Sequence, residues 1–199
     1  MWIIGLTGSI GMGKSTAGQI LKRLKVPVHD SDSAVHRAFA QGGPAVAEID
    51  GLFPGVVENG TVNRQALGKI VFNDDAAIKE LEGILHPLVR QDRNRFLAHW
   101  RRQRHFAVAM DVPLLFETGT DAECDLTIVV TAPAFIQQRR VLQRPGMSPE
   151  RFAAVKSRQM PDADKRRRAD FVVSTNLGRR LTFKLLTRIV LMLREKPNV

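Results

Sequence analysis

Eight residues near the start of the chain, Gly8-Ser9-Ile10-Gly11-Met12-Gly13-Lys14-Ser15, follow a spacing of Gly, four free positions, Gly, Lys and Ser or Thr. That spacing dictates its own surroundings. A loop of this kind wraps phosphate oxygens with backbone N–H groups, so a strand must deliver the chain into it. A helix must leave with its unpaired N-terminal donors facing the anion. The flanks comply: Trp2, Ile3, Ile4, Gly5 and Leu6 read as a buried strand, and Thr16 to Leu24 repeats apolar residues at helical spacing. Gly11, Met12, Gly13, Lys14, Ser15 and Thr16 are the candidate nucleotide contacts, with Lys14 reaching the β- and γ-phosphates and Ser15 ligating Mg²⁺ directly.

Four more β-rich runs follow, at Val26 to His29, Phe106 to Val112, Leu126 to Thr131 and Phe171 to Ser174, each separated from the next by helical pattern. Near-continuous apolar strands alternating with helices predict a doubly wound α/β/α layer on a five-stranded parallel sheet. Ligands in such sheets bind at the carboxyl ends of the strands. The loop lies there, as do Asp30 and Asp32 after the second run, Asp111 and Pro113 at the end of the third, and Thr131 at the end of the fourth. A last helix is predicted over Arg179 to Arg194, with Leu181, Leu185, Ile189 and Leu193 toward the sheet.

Two stretches fall outside the strand rhythm. Residues 33–85 carry helical patterns, such as Arg64 to Phe72 and Ala76 to Leu85, broken by Gly42-Gly43-Pro44 and Pro54-Gly55, and read as a helical insertion. Residues 133–159 read as two helices hinged at Arg144-Pro145-Gly146, the second capped by Ser148 with Pro149 in its first turn, an arrangement suited to a lid. The core then comprises 1–32, 86–132 and 160–199. Arg140 and Arg144, four apart, share a helix face from which Gln137 and Arg139 turn partly away; a solvated charge run is the alternative to a lid role.

Phosphoryl transfer needs a cradle, a metal, cations and a group that orients the acceptor. Asp32, just after the second strand, is the candidate base for an attacking hydroxyl, and Asp30 or Ser31 the candidate helix cap. Asp111 is either a water-mediated Mg²⁺ ligand or a strand-end cap. His86, before Pro87, starts an amphipathic helix. The five histidines show no metal-ligand spacing.

The formal charge of +10 admits either a nucleic acid or a polyphosphate partner. Aromatics are only 6% and no Tyr occurs, so a base-stacking platform has little to build on, and nucleic acid is the weaker reading. One cysteine excludes an internal disulfide and a cysteine-based zinc site. No stretch is apolar for long enough to span a bilayer and no signal-peptide pattern opens the chain, which predicts a cytoplasmic protein without a membrane partner.

Taken together, Gly5-Leu6-Thr7-Gly8 with Gly13-Lys14-Ser15-Thr16, Asp30-Ser31-Asp32, Leu81-Glu82 with His86-Pro87, Val112 to Glu117, Gln137 with Arg140 and Arg144, Gln159, and Ala169-Asp170-Phe171-Val172 resemble the dephospho-coenzyme A kinase family over nearly the whole chain. The resemblance implies a nucleotide-kinase-like core of the P-loop NTPase fold, an acceptor-binding helical insertion and a lid. It also implies ATP-dependent phosphorylation of the 3′-hydroxyl of dephospho-coenzyme A with Mg²⁺. Carried over, Asp32 is the base, Lys14 and Arg140 are the catalytic cations, and Arg140 and Arg144 join the ATP site. Thr7, Asp32, His86, Pro113, Leu114, Leu115 and Glu117 border the acceptor, and the region after Asp170 lies near adenine. The chain departs from the family's usual pattern at Ser9, Met12, Ser31 and Asn63, and Thr175 and Asn176 share the place of a customary Asn. The rivals are another small-molecule kinase of the same architecture, acting on a nucleoside, nucleotide or shikimate, and a nucleic-acid-associated ATPase.

Overall fold

Strands form where apolar β-formers run unbroken and helices where they recur every third or fourth residue, and the computed structural model, which describes residues 1–71 and 74–196, follows that alternation. In chain order the elements are β1 (Trp2–Thr7), α1 (Lys14–Arg23), β2 (Val28–Asp30), α2 (Ser31–Phe39), α3 (Val46–Leu52), β3 (Val57–Glu58), β4 (Thr61–Val62), α4 (Arg64–Val71) and α5 (Asp75–Arg102). There follow β5 (Ala107–Asp111), a 3₁₀ turn (Thr120–Glu123), β6 (Leu126–Thr131), α6 (Ala134–Leu142), α7 (Pro149–Ser157), α8 (Asp162–Arg168), β7 (Phe171–Ser174) and α9 (Arg179–Glu195). The chain divides into two compact units, one of residues 1–29 with residue 100 onward, the other of residues 30–99.

The first unit holds the five-stranded parallel sheet, ordered β2-β5-β1-β6-β7 and flanked by helices. In register, Leu6 lies beside Asp111 on one side and Ile128 on the other, so the ends of β1, β5 and β6 open at one edge, where the glycine-rich loop leaves β1. Ile4, Leu6, Ile128 and Val130 form a core with Ala17, Ile20 and Leu21 of α1 and Leu186, Ile189 and Val190 of α9. The buried stripe of α9 is Thr182, Leu186, Ile189, Val190 and Leu193, one position round from the predicted one, with Leu185 at its margin. On the opposite face a side chain at Gly5 would collide with Leu115 and Cys124, so both faces of β1 are covered. Two aspartates fasten the strand starts: Asp125 accepts from Ile3 N at 2.6 Å, and Asp170 accepts from Thr127 N and Oγ1 at 2.7 and 2.8 Å.

The second unit has its own core of Phe39, Ile49, Phe53, Val56, Val62, Leu67 and Ile84. Three local expectations change. The short β3–β4 hairpin was not predicted, although Asn59 and Gly60 at φ 51 and 72 supply the left-handed pair that a two-residue turn requires. His86 does not begin a helix: α5 runs through it with Pro87 inside, because one proline removes one N–H from a long helix that otherwise continues. The predicted helix ending at Phe72 is observed to Val71, and Phe72 lies outside the described residues.

Candidate active site

The loop folds back on itself between β1 and α1. Gly11 and Gly13 have φ of 76 and 95, and Gly13 is the N-cap of α1 with no side chain to occupy the first-turn donors. Gly8 is required by space, since a Cβ there would lie 2.5 Å from Val130 Cγ2. Met12 is tied into the loop through both its backbone and its side chain. Its N–H donates to Ser9 O at 3.1 Å, and its side chain is buried with the sulfur accepting from Ala132 N at 3.1 Å, so it supports the loop from beneath. Ser15 is exposed in the first turn of α1, and Thr16 is partly buried.

Lys14 Nζ pairs with Asp111 Oδ1, bringing the end of β5 to the loop. Asp111 is 6% exposed and faces α1, its Oδ2 lying 3.5 Å from where a Cβ on Gly18 would be. Helix α6 braces the loop from outside. Arg140 donates to Gly11 O at 3.4 Å, Thr175 Oγ1 at 2.9 Å and Thr175 O at 2.8 Å, and Thr175 Oγ1 in turn donates to Met12 O at 2.8 Å. Gln137 is not turned away from this face: it is 3% exposed and its Nε2 donates to Ile10 O at 2.9 Å, while Gln159 Oε1 accepts from Ile10 N at 2.9 Å. Arg144 is exposed. Ser148 caps α7 by accepting from Arg151 N.

The segment after β5 is held by a residue absent from the sequence-based candidates. Lys165 of α8 is fully buried, with Nζ 2.8 Å from Glu117 Oε1 and 3.1 Å from Pro113 O. Pro113 O also accepts from Thr7 Oγ1 at 3.1 Å, and Glu117 Oε1 from Met160 N at 2.7 Å. Thr7 and Leu115 are wholly buried, Glu117 pairs with Lys165 while remaining an exposed residue, and Leu114 is 38% exposed. A lysine in the basic run Lys165 to Arg168 reads as surface; only its position among Asp162, Asp164 and the apolar strand that follows hinted otherwise.

In the second unit, Asp30 is the cap of α2, accepting from Ser33 N at 3.1 Å and Ser33 Oγ at 2.9 Å. Asp32 stands in the first turn, exposed. His86 is exposed on α5 and lines a cleft of about 650 Å³ with Pro87, Arg90, Gln91, Asn94 and Arg95.

A phosphate loop, a lysine–carboxylate pair at its mouth and an arginine braced across it are the parts of an ATP-dependent phosphotransferase. A family model described as dephospho-CoA kinase matches residues 2–179. The chain belongs to the dephospho-CoA kinase family. Similar curated proteins include the dephospho-CoA kinase of Paramagnetospirillum magneticum, 60% identical over 83% of this chain and 78% of the relative, and that of Rhodospirillum rubrum, 48% identical over 97% and 92%. A crystal structure of a Thermus thermophilus protein superposes with a TM-score of 0.83 at 36% identity, covering 96% of both chains. As a dephospho-CoA kinase, the chain phosphorylates dephospho-CoA at the expense of ATP, and the shikimate-kinase and nucleic-acid ATPase readings fall away. Within this kinase one departure from the family loop finds its reason locally: the Met12 side chain fills the space under the loop.

Proposed function

We propose that the kinase transfers the γ-phosphoryl group of ATP to the 3′-hydroxyl of the acceptor ribose with Asp32 as general base, in the cytoplasm and without a nucleic-acid or membrane partner. The observation that carries the base assignment is the division of labour in α2: Asp30 satisfies the helix N-terminus, which leaves the exposed Asp32 carboxylate to accept a proton. The hydroxyl oxygen forms a bond to γ-phosphorus as its proton passes to Asp32, and the bond from γ-phosphorus to the bridging oxygen of ADP breaks. Lys14, released from Asp111 by the incoming polyanion, neutralises the departing charge, and Arg140 does so beside it, already oriented by Thr175. Arg144, exposed, supplies a further cation to ATP from residues 133–159, which serve as the lid. The proposed acceptor contacts are His86 and the insertion 33–85 in one unit, and Thr7, Pro113, Leu114, Leu115 and Glu117 in the other.

Mg²⁺ fits the donors present, because the Ser15 hydroxyl and the Asp111 carboxylate are hard oxygen ligands suited to direct and water-mediated contact. When bound with ATP it would offset the charge of the triphosphate. Among the described residues no group of three or more His, Cys, Asp or Glu side chains is gathered to hold a metal. Among the described residues, too, no helix is long and apolar enough to cross a membrane.

The test separates the two aspartates. Asp32→Asn is expected to lower turnover by about 10²–10⁴-fold with ATP affinity kept. Asp30→Ala is expected to cost about 1 kcal/mol of stability, as loss of a cap does, with turnover largely retained. A normal rate in Asp32→Asn would remove the base assignment.

A further inference from the structure

Ile10, in the middle of the phosphate loop, has both of its backbone polar groups held by side-chain amides, one on each of the two peptides that flank its Cα. Its N–H donates to Gln159 Oε1 and its carbonyl accepts from Gln137 Nε2, both at 2.9 Å. The two glutamines come from opposite roots of the α6–α7 hairpin, Gln137 from the first turns of α6 and Gln159 from just beyond α7. Neither bond closes a helix or a strand, and Gln137 is 3% exposed, so its amide has been taken from water for this contact. A loop that binds phosphate through backbone N–H groups depends on the orientation of its peptides, since a peptide that rotates carries its N–H out of the cradle. Gly11 follows directly at φ 76, a conformation with little steric restraint of its own in glycine, so the restraint must come from neighbours.

We propose that Gln137 and Gln159 are positioning residues for phosphoryl transfer: they clamp the two consecutive peptides that flank Ile10 and thereby hold the phosphate loop in its ATP-binding shape, making nucleotide affinity depend on the roots of the hairpin. The proposal rests on the loop being the ATP site. The clamp acts on nucleotide and not on the acceptor, and its two halves act on adjoining peptides of one residue, Ile10.

The experiment compares wild type, Gln137→Met, Gln159→Met and the double variant by ATP titration calorimetry, by KM for dephospho-CoA at saturating ATP, and by thermal unfolding. Each single variant is expected to weaken ATP binding about tenfold, the effect of leaving one peptide group unpaired. KM for dephospho-CoA should stay within about twofold. The double variant should bind ATP about as weakly as the weaker single variant, because the two bonds fix one residue's backbone and losses at coupled neighbours are not additive. Gln159 is only partly buried, so Gln159→Met is expected to fold even if the buried site does not tolerate change. Unchanged ATP affinity in folded Gln159→Met overturns the proposal. So does a parallel rise in both substrates' KM with a fall in melting temperature, which marks a merely structural role. If wild type itself shows no ATP binding or no turnover that depends on dephospho-CoA, it is the functional reading that fails instead.

Discussion

Lys165 Nζ lies 2.8 Å from Glu117 Oε1 with the lysine wholly buried and the glutamate 18% exposed. The pair ties α8 to the segment that follows β5, and Pro113 O takes a second bond from the same ammonium. Removing the glutamate strands the buried ammonium out of water, whereas removing the lysine leaves a carboxylate that still reaches solvent and Met160 N. Glu117→Met is expected to lower unfolding free energy by about 3 kcal/mol, and Lys165→Met by less. The double variant should recover part of the loss, since two apolar side chains need no partner. Urea unfolding of the three variants reads this directly, and additive losses would contradict the pair.

Glycines in the loop are needed for different reasons from those in surface turns. At Gly11, φ is 76 and a Cβ would stand 2.5 Å from Val141 Cγ2, whereas at Gly55, φ is 83 and nothing lies within 4 Å of such an atom. Gly55→Ala should cost about 1 kcal/mol through backbone strain alone, with turnover unchanged. Gly11→Ala adds a collision with α6 and is expected to cost about 2 kcal/mol or more and to weaken ATP binding at least about tenfold. Melting curves with and without ATP distinguish the two.

The architecture was legible because strand and helix signals in this chain are strong where the sheet is. The runs Leu126 to Thr131 and Phe171 to Ser174 are strands residue for residue. The second strand begins at Val28 and not Val26, although Pro27 still offers its carbonyl to Ala109 N at 2.8 Å. What could not be read was long-range partnership. Gln137 shares a helix face with Arg140 in a way that a charge pattern hides, because its target is a backbone peptide 127 residues away in sequence. Lys165 sits in a run of four cations, three of them exposed, and only the fold discloses that it meets Glu117. Asp30 and Asp32 were both in view, and the cap geometry separates them.

The pairing of Lys14 with Asp111 bears on catalysis. Lys14→Met should reduce turnover by about 10²–10³-fold, the cost of removing one cation from a charge-stabilising site. Asp111→Asn leaves the lysine in place without its counter-ion, and is expected to raise the Mg²⁺ concentration needed for half-maximal rate. A Mg²⁺ dependence identical to wild type in Asp111→Asn would assign the carboxylate solely to holding Lys14.

Pro87 interrupts the hydrogen bonding of α5 from within. Pro87→Ala restores an N–H that can reach Gly83 O, and is expected to raise stability by about 1–3 kcal/mol. Denaturant midpoints of the two proteins test this, and a loss of stability would show that the proline is fitted to its helix.

The central claim is acceptor-dependent phosphoryl transfer, and it is tested most directly by ADP release from purified protein given ATP and Mg²⁺ with dephospho-CoA, adenosine, AMP or no acceptor. Turnover is expected to require dephospho-CoA and to yield one phosphorylated acceptor per ADP. Release that is indifferent to the acceptor, or faster with adenosine or AMP, would contradict it.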